Sequence, residues 1–108
     1  MPMQHLHLNA VEWKEPVAGF KGRFVHSANM TFAYWNIAQD SRLPEHAHPH
    51  EQVASVIEGQ FEMTVDGETK VLGPGSVVII PPNVNHSGRA ITSSRIIDVF
   101  YPTREDYR

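Results

Sequence analysis

Cysteine is absent from this 108-residue sequence, which excludes disulfide frameworks, thiolate metal sites and a cysteine nucleophile. Any metal must therefore be held through nitrogen and oxygen. No run approaches the roughly 20 apolar residues of a membrane-spanning helix. The N-terminus, Met1-Pro2-Met3-Gln4-His5-Leu6-His7-Leu8, also lacks the basic segment and apolar stretch of a signal peptide. The expectation is a soluble, cytoplasmic protein without a membrane partner. Lysine and arginine number 9 against 12 acidic residues, for a formal net charge of −3, and nowhere do they cluster as a phosphate-binding surface requires. Nucleic acid is excluded as an expected partner on that ground.

What is present is the length of one domain, taken as residues 1–108 and able to bury a core without disulfides. Residues 1–20 are mixed and read as a short edge strand or irregular lead-in, interrupted by Pro16 and Gly19. The stretch from Phe24 to Ile37 is rich in aromatic and β-branched residues, with Met30–Ile37 reading as a strand. Gln39-Asp40-Ser41-Arg42 reads as a turn and Gln52–Ile57 as the next strand. Phe61–Val65 alternates with period two up to Asp66-Gly67, a pair that suits a type I′ turn needing positive φ at both central positions, so Phe61–Val65 and Glu68–Leu72 are expected to pair antiparallel. Ser76–Ile80 and Ser94–Tyr101 are further strands, and Thr103–Tyr107 has room for one terminal helical turn. Short strands separated by Gly, Pro and Asn turns, without helical periodicity, indicate an all-β sandwich or barrel.

Seven histidines are many for this length. His46 and His48 stand at i and i+2, a spacing that on a strand points both imidazoles to one face. Gln52 follows four residues later, and His86 lies in the later loop Pro81-Pro82-Asn83-Val84-Asn85-His86. Three imidazoles and an amide oxygen fill four positions around a divalent ion and leave room for water or substrate. His50 reads as a rim residue, and His5, His7 and His26 as surface.

These residues carry a resemblance to the cupin superfamily. Its first motif, His-x-His, then Glu or Gln, then Gly, matches His46, His48, Gln52 and Gly59. Its second, Gly, Pro and His at fixed spacing, matches Gly75, Pro81 and His86, with Asn83 where glycine is usual. The resemblance implies a single-domain jelly-roll barrel, the double-stranded β-helix. Gln52 departs from the usual glutamate ligand; a neutral amide leaves more charge on the ion and departs from the face of two histidines and one carboxylate that serves Fe(II) oxygenases.

The second informative segment is Asp98 to Tyr107. Asp98 and Phe100 share one side of the last strand, and a carboxylate in the middle of Ile96-Ile97-Asp98-Val99-Phe100 is costly to bury unpaired. Two readings stay open: Asp98 pairs with Arg23, Arg89 or Arg95 or faces solvent, or it is a general acid/base near the metal. Arg104, beyond Pro102, is placed to curl over the barrel mouth and grip a carboxylate.

His46-Ala47-His48-Pro49-His50-Glu51-Gln52, together with Asp98, Phe100, Pro102 and Arg104-Glu105-Asp106-Tyr107, looks like the pectin-degradation cupins of the KdgF type, over about Trp35 to Tyr107. That resemblance implies one divalent metal ion (Ni, Zn, Mn or Fe) on His46, His48, Gln52 and His86. It places turnover on Asp98, Phe100 and Arg104. The implied reaction is a non-redox conversion of 4,5-unsaturated uronate monosaccharides, from pectin or alginate, into linear 5-keto-4-deoxyuronate. The alternatives are another cupin enzyme, such as an Fe(II) dioxygenase or sugar isomerase, and a non-catalytic sugar-binding cupin. A homodimer is expected by the same resemblance, compatible with Trp13, Phe20, Phe24, Phe32, Tyr34 and Trp35 as surplus aromatic surface.

Overall fold

A computed structural model describes residues 2–108. Ten strands follow one another: β1 (Lys14–Val17), β2 (Phe20–His26), β3 (Thr31–Ile37), β4 (Arg42–His46), β5 (Glu51–Glu58), β6 (Phe61–Val65), β7 (Glu68–Leu72), β8 (Val77–Ile80), β9 (His86–Ala90) and β10 (Ser94–Tyr101). Single 3-10 turns lie at Leu8–Ala10 and Glu105–Tyr107. All pairings are antiparallel. One sheet has the order β1-β2-β3-β10-β5-β8 and the other β4-β9-β6-β7, so the expected all-β jelly-roll barrel is what the chain forms. Among the described residues no helix is long and apolar enough to cross a membrane.

Period-two alternation places the core between the sheets. Thr31, Ala33, Trp35 and Ile37 of β3 are buried, as are Ser94, Ile96, Asp98 and Phe100 of β10 and Gln52, Ala54 and Val56 of β5. The β6–β7 hairpin closes as its sequence requires, Val65 opposite Glu68, with φ of 48° at Asp66 and 79° at Gly67.

Several expectations are corrected. The lead-in holds the short edge strand β1, one of its two expected forms, while Phe24 sits in the middle of β2 rather than opening the next segment. Arg42 starts β4; the turn ends before it, with Asp40 at φ 68°. His86 opens β9 instead of lying in a loop. His48 lies past the end of β4, so the His46/His48 pair is not a strand-face pair. The misses at β4 and β9 fall where polar and histidine residues replace the β-branched residues that mark a strand. Three of the aromatics taken as surplus surface are core. Phe20 and Phe24 meet Trp35 edge-to-face at 6.0 and 5.3 Å, and all three are buried.

Candidate metal centre and active site

Two adjacent strands of the four-stranded sheet, β4 and β9, bring two of the histidines together. His46, the last residue of β4, is paired in register with His86, the first of β9, and their ring centroids are 4.1 Å apart. His48 is fixed in the following turn by its carbonyl, which accepts the Asn83 N–H at 2.7 Å. Asn83 has φ 64°, a left-handed conformation that asparagine tolerates better than most residues, which accounts for it standing where glycine is usual. One nitrogen from each of His46, His48 and His86 falls in a group whose members all lie within 4.8 Å of one another.

The backbone decides which nitrogen of each ring is presented. Nδ1 lies 2.8 Å from the Pro44 carbonyl in His46, 3.1 Å from that of His50 in His48, and 2.9 Å from that of Val84 in His86. A carbonyl only accepts, so Nδ1 carries the proton in all three and Nε2 is left with a lone pair. Nε2 of His86 is buried without a partner. Nε2 of His48 faces Oε1 of Gln52 at 3.1 Å, two acceptors with no proton between them. An unpartnered Nε2 of His86 within 4.8 Å of a nitrogen from each of His46 and His48, each ring oriented by a hydrogen bond behind it, fits a bound cation. The three histidines can hold a metal ion.

Charge at the site follows from burial. Desolvation lowers His48 to about 4, with Arg104, His86 and His46 pushing the same way, while Gln52 opposes. His86 is lowered by the same desolvation, partly offset by its bond to Val84. Both rings are therefore neutral at pH 7, the form that binds metal.

Asp98 lies on β10 opposite Ala33 on one side and Ala54 on the other. Those short side chains leave its diagonal neighbours, Trp35 and Gln52, as its contacts. Trp35 Nε1–H donates to Oδ2 at 2.9 Å, and Oδ1 is buried without a hydrogen bond. Burial raises its pKa to about 6, an effect that Gln52, Trp35 and Arg104 reduce without cancelling. The arginines considered as its partners are engaged elsewhere: Arg89 with Asp40 and Glu62, Arg95 with Glu58, and Arg23 over the Trp13 ring at 4.0 Å. Asp98 is thus neither ion-paired with them nor facing solvent.

Phe100 is 2% exposed, with His48 edge-on at 5.6 Å. Arg104 is buried, its guanidinium 4.8 Å from the Phe100 ring centroid and 4.2 Å from that of Tyr107. His46, Gln52, His86, Asp98, Phe100 and Arg104 line one cavity of about 50 Å³. His50 stays outside the three-histidine group, and its ring packs 5.4 Å from His48. Sequence reading missed Trp35 as the partner of Asp98, Thr31 as acceptor for the Arg104 N–H at 2.9 Å, and Asp106, which takes Nε and Nη2 of Arg104 at 3.0 and 2.7 Å. The inward parity of Trp35 with Ile37 was the available signal for the first.

A small jelly roll with three histidines and a glutamine at one end of its cavity is a cupin, and the chain belongs to that family: the cupin domain profile matches residues 33–100. Among individual relatives, the chain is 29% identical over 98 residues to the pectin degradation protein KdgF of Dickeya dadantii, covering 88% of this chain and 89% of that one. Its fold superposes on an RmlC-like cupin from Shewanella frigidimarina with a TM-score of 0.92 at 30% identity, covering 99% and 97% of the two chains. It also superposes on KdgF from Halomonas sp. with a TM-score of 0.91 at 24% identity, covering 99% and 100%.

Proposed function

We propose that the protein, acting in the cytoplasm as a single cupin domain over residues 1–108, opens 4,5-unsaturated uronate monosaccharides to linear 5-keto-4-deoxyuronate during breakdown of pectin or alginate. The observation that carries this reading is the convergence, on one cavity, of an open nitrogen–oxygen donor group, a buried carboxyl near neutrality and a buried arginine. The similarity to the Dickeya pectin degradation protein supports the same substrate class.

His46, His48, His86 and Gln52 would hold one divalent ion, Ni²⁺, Zn²⁺, Mn²⁺ or Fe²⁺, and the donor set does not select among them. Such an ion supplies Lewis acidity toward a sugar oxygen. The enclosed space suits an ion and water, so the sugar ring lies at the mouth. Arg104 pairs with the C6 carboxylate there, and Phe100 forms the wall beneath it. Opening the hemiacetal leaves an enol at C5, which becomes the ketone once C4 is protonated. Asp98, with a pKa of about 6, gives and takes protons on that path. Trp35 holds one of its oxygens and leaves the other free to face the substrate.

The test follows the ultraviolet absorbance of unsaturated galacturonate with metal-loaded, chelated and reloaded protein. Decay faster than the spontaneous rate is expected in the first and third only. Equal rates in all three would remove the reaction from this protein.

We also infer a homodimer through the outer face of the six-stranded sheet. Ile79, Val53, Val99, Phe32 and Val25 form one unbroken apolar row across five strands. Val77 and Ile79 are 61% and 65% exposed on its edge. Light scattering is expected to give twice the chain mass for the wild type and the single mass for Val77→Glu/Ile79→Glu; a monomeric wild type refutes it.

A further inference from the structure

Arg104 and Asp98 are the charged residues buried among those described. An arginine in that position needs a reason for its orientation, since holding its long side chain in one pose loses rotamer entropy. Its backbone N–H is tied to Thr31 Oγ1, and its guanidinium lies against Phe100 and Tyr107. Tyr107 in turn stacks on Phe24 at 4.5 Å, so the turn Glu105–Tyr107 is fastened to the barrel. From that turn Asp106 reaches back and takes the Nε–H and one Nη2–H in a side-on fork. The Asp106 side chain is 59% exposed against 10% for Arg104, so the pair points its carboxylate outward and its cation inward. A guanidinium has five N–H donors. The side-on fork uses two and leaves the Nη1 end, the geometry for a second bidentate carboxylate, uncommitted to Asp106.

We propose that Asp106 is a positioning residue for carboxylate recognition. It holds Arg104 from the solvent side so that the remaining end of the guanidinium meets the C6 carboxylate of a uronate, which selects acidic over neutral sugars. The inference rests on the reading above only in giving Arg104 a uronate carboxylate to bind. The same geometry admits an opposite role, in which Asp106 occupies Arg104 and competes with substrate. The two roles predict opposite signs.

The experiment uses metal-loaded full-length protein and compares wild type, Asp106→Asn, Arg104→Ala and the double variant. It measures kcat and KM on unsaturated galacturonate, and calorimetric binding of saturated galacturonate against galactose. Asp106→Asn is expected to raise KM and weaken galacturonate binding about tenfold, the equivalent of one charge-assisted bond weakened. Its kcat should stay within about threefold, with metal content and melting temperature unchanged. In the Arg104→Ala background the same change should cost less than about twofold, because Asp106 acts through Arg104. An unchanged or lowered KM in Asp106→Asn, or an undiminished loss in the Arg104→Ala background, overturns the proposal, and so does wild-type binding of galacturonate no tighter than of galactose. Absence of turnover alongside Asp106-dependent galacturonate binding would instead remove the ring-opening reaction and leave this role standing.

Discussion

Asp98→Asn is expected to lower kcat on unsaturated galacturonate by about 10² to 10⁴, the range for loss of a positioned general acid/base, while raising the stability of the metal-free protein. Both effects come from one fact: the carboxylate is buried between Ala33 and Ala54 with Oδ1 unpartnered. Burial raises its pKa from 3.8 to about 6. At pH 7 the folded protein therefore keeps a desolvated charge that the unfolded chain keeps in water, at a cost of about 3 kcal/mol. Asparagine retains the shape and still accepts from Trp35, but neither transfers a proton nor carries the charge. Metal-free Asp98→Asn should melt several degrees above wild type at pH 7. That gap should close as pH falls through 6 toward 4, where the native carboxyl is protonated. Parallel rate and melting measurements decide it. A variant with near-wild-type kcat rules out the proton-transfer role, and one that melts lower at pH 7 contradicts the account of its burial. A residue whose charged form costs stability and sits beside a donor cluster is better explained by use than by packing.

The fold was legible where local chemistry and tertiary demand agree. The Asp66-Gly67 hairpin, the shared side of Asp98 and Phe100 and the turn after Pro102 were all readable, because period two and turn residues are local signals. β4 and β9 were not, since Arg42–His46 and His86–Ala90 carry polar and histidine residues whose place in a strand is imposed by pairing with one another. That His46, His48 and His86 belong together was legible from motif spacing; what orients them was not. The carbonyls of Pro44, His50 and Val84 that fix the imidazole tautomers depend on backbone path, which no residue type encodes. Likewise the partner of Asp98 is Trp35, 63 residues away, a neighbour created by register and not by charge. Arginine–carboxylate pairing, the natural guess from composition, fails because Arg89 and Arg95 find partners on the surface where a pair costs no desolvation.

Removal of a donor should separate metal binding from folding, and His86 is the residue on which the two diverge most. Its Nε2 is buried with no hydrogen bond, so in the metal-free protein it stabilises nothing. The charged form is already disfavoured by burial, which keeps the ring neutral. His86→Ala is therefore expected to lower the metal-free melting temperature only through the cavity left by its buried ring and the lost bond to Val84. With metal a further loss is added. Loss of an outer contact to a ligand costs 10–100-fold in affinity, and loss of the ligand itself should exceed about 10²-fold. Metal at 100 times its dissociation constant stabilises wild type by about 2.7 kcal/mol, a gain the variant should not show at the same concentration. Turnover should fall to the spontaneous rate with it. Acid adds an independent check on the metal-free wild type. His48, at about 4 when folded against 6.5 unfolded, contributes stability that is complete above 6.5 and lost as pH falls through 4, and Asp98 offsets part of that loss between 6 and 4. Melting curves with and without added metal, at pH 7 and pH 5, carry the whole test. If His86→Ala gains as much from metal as wild type does, the ion is not held by the three-histidine group.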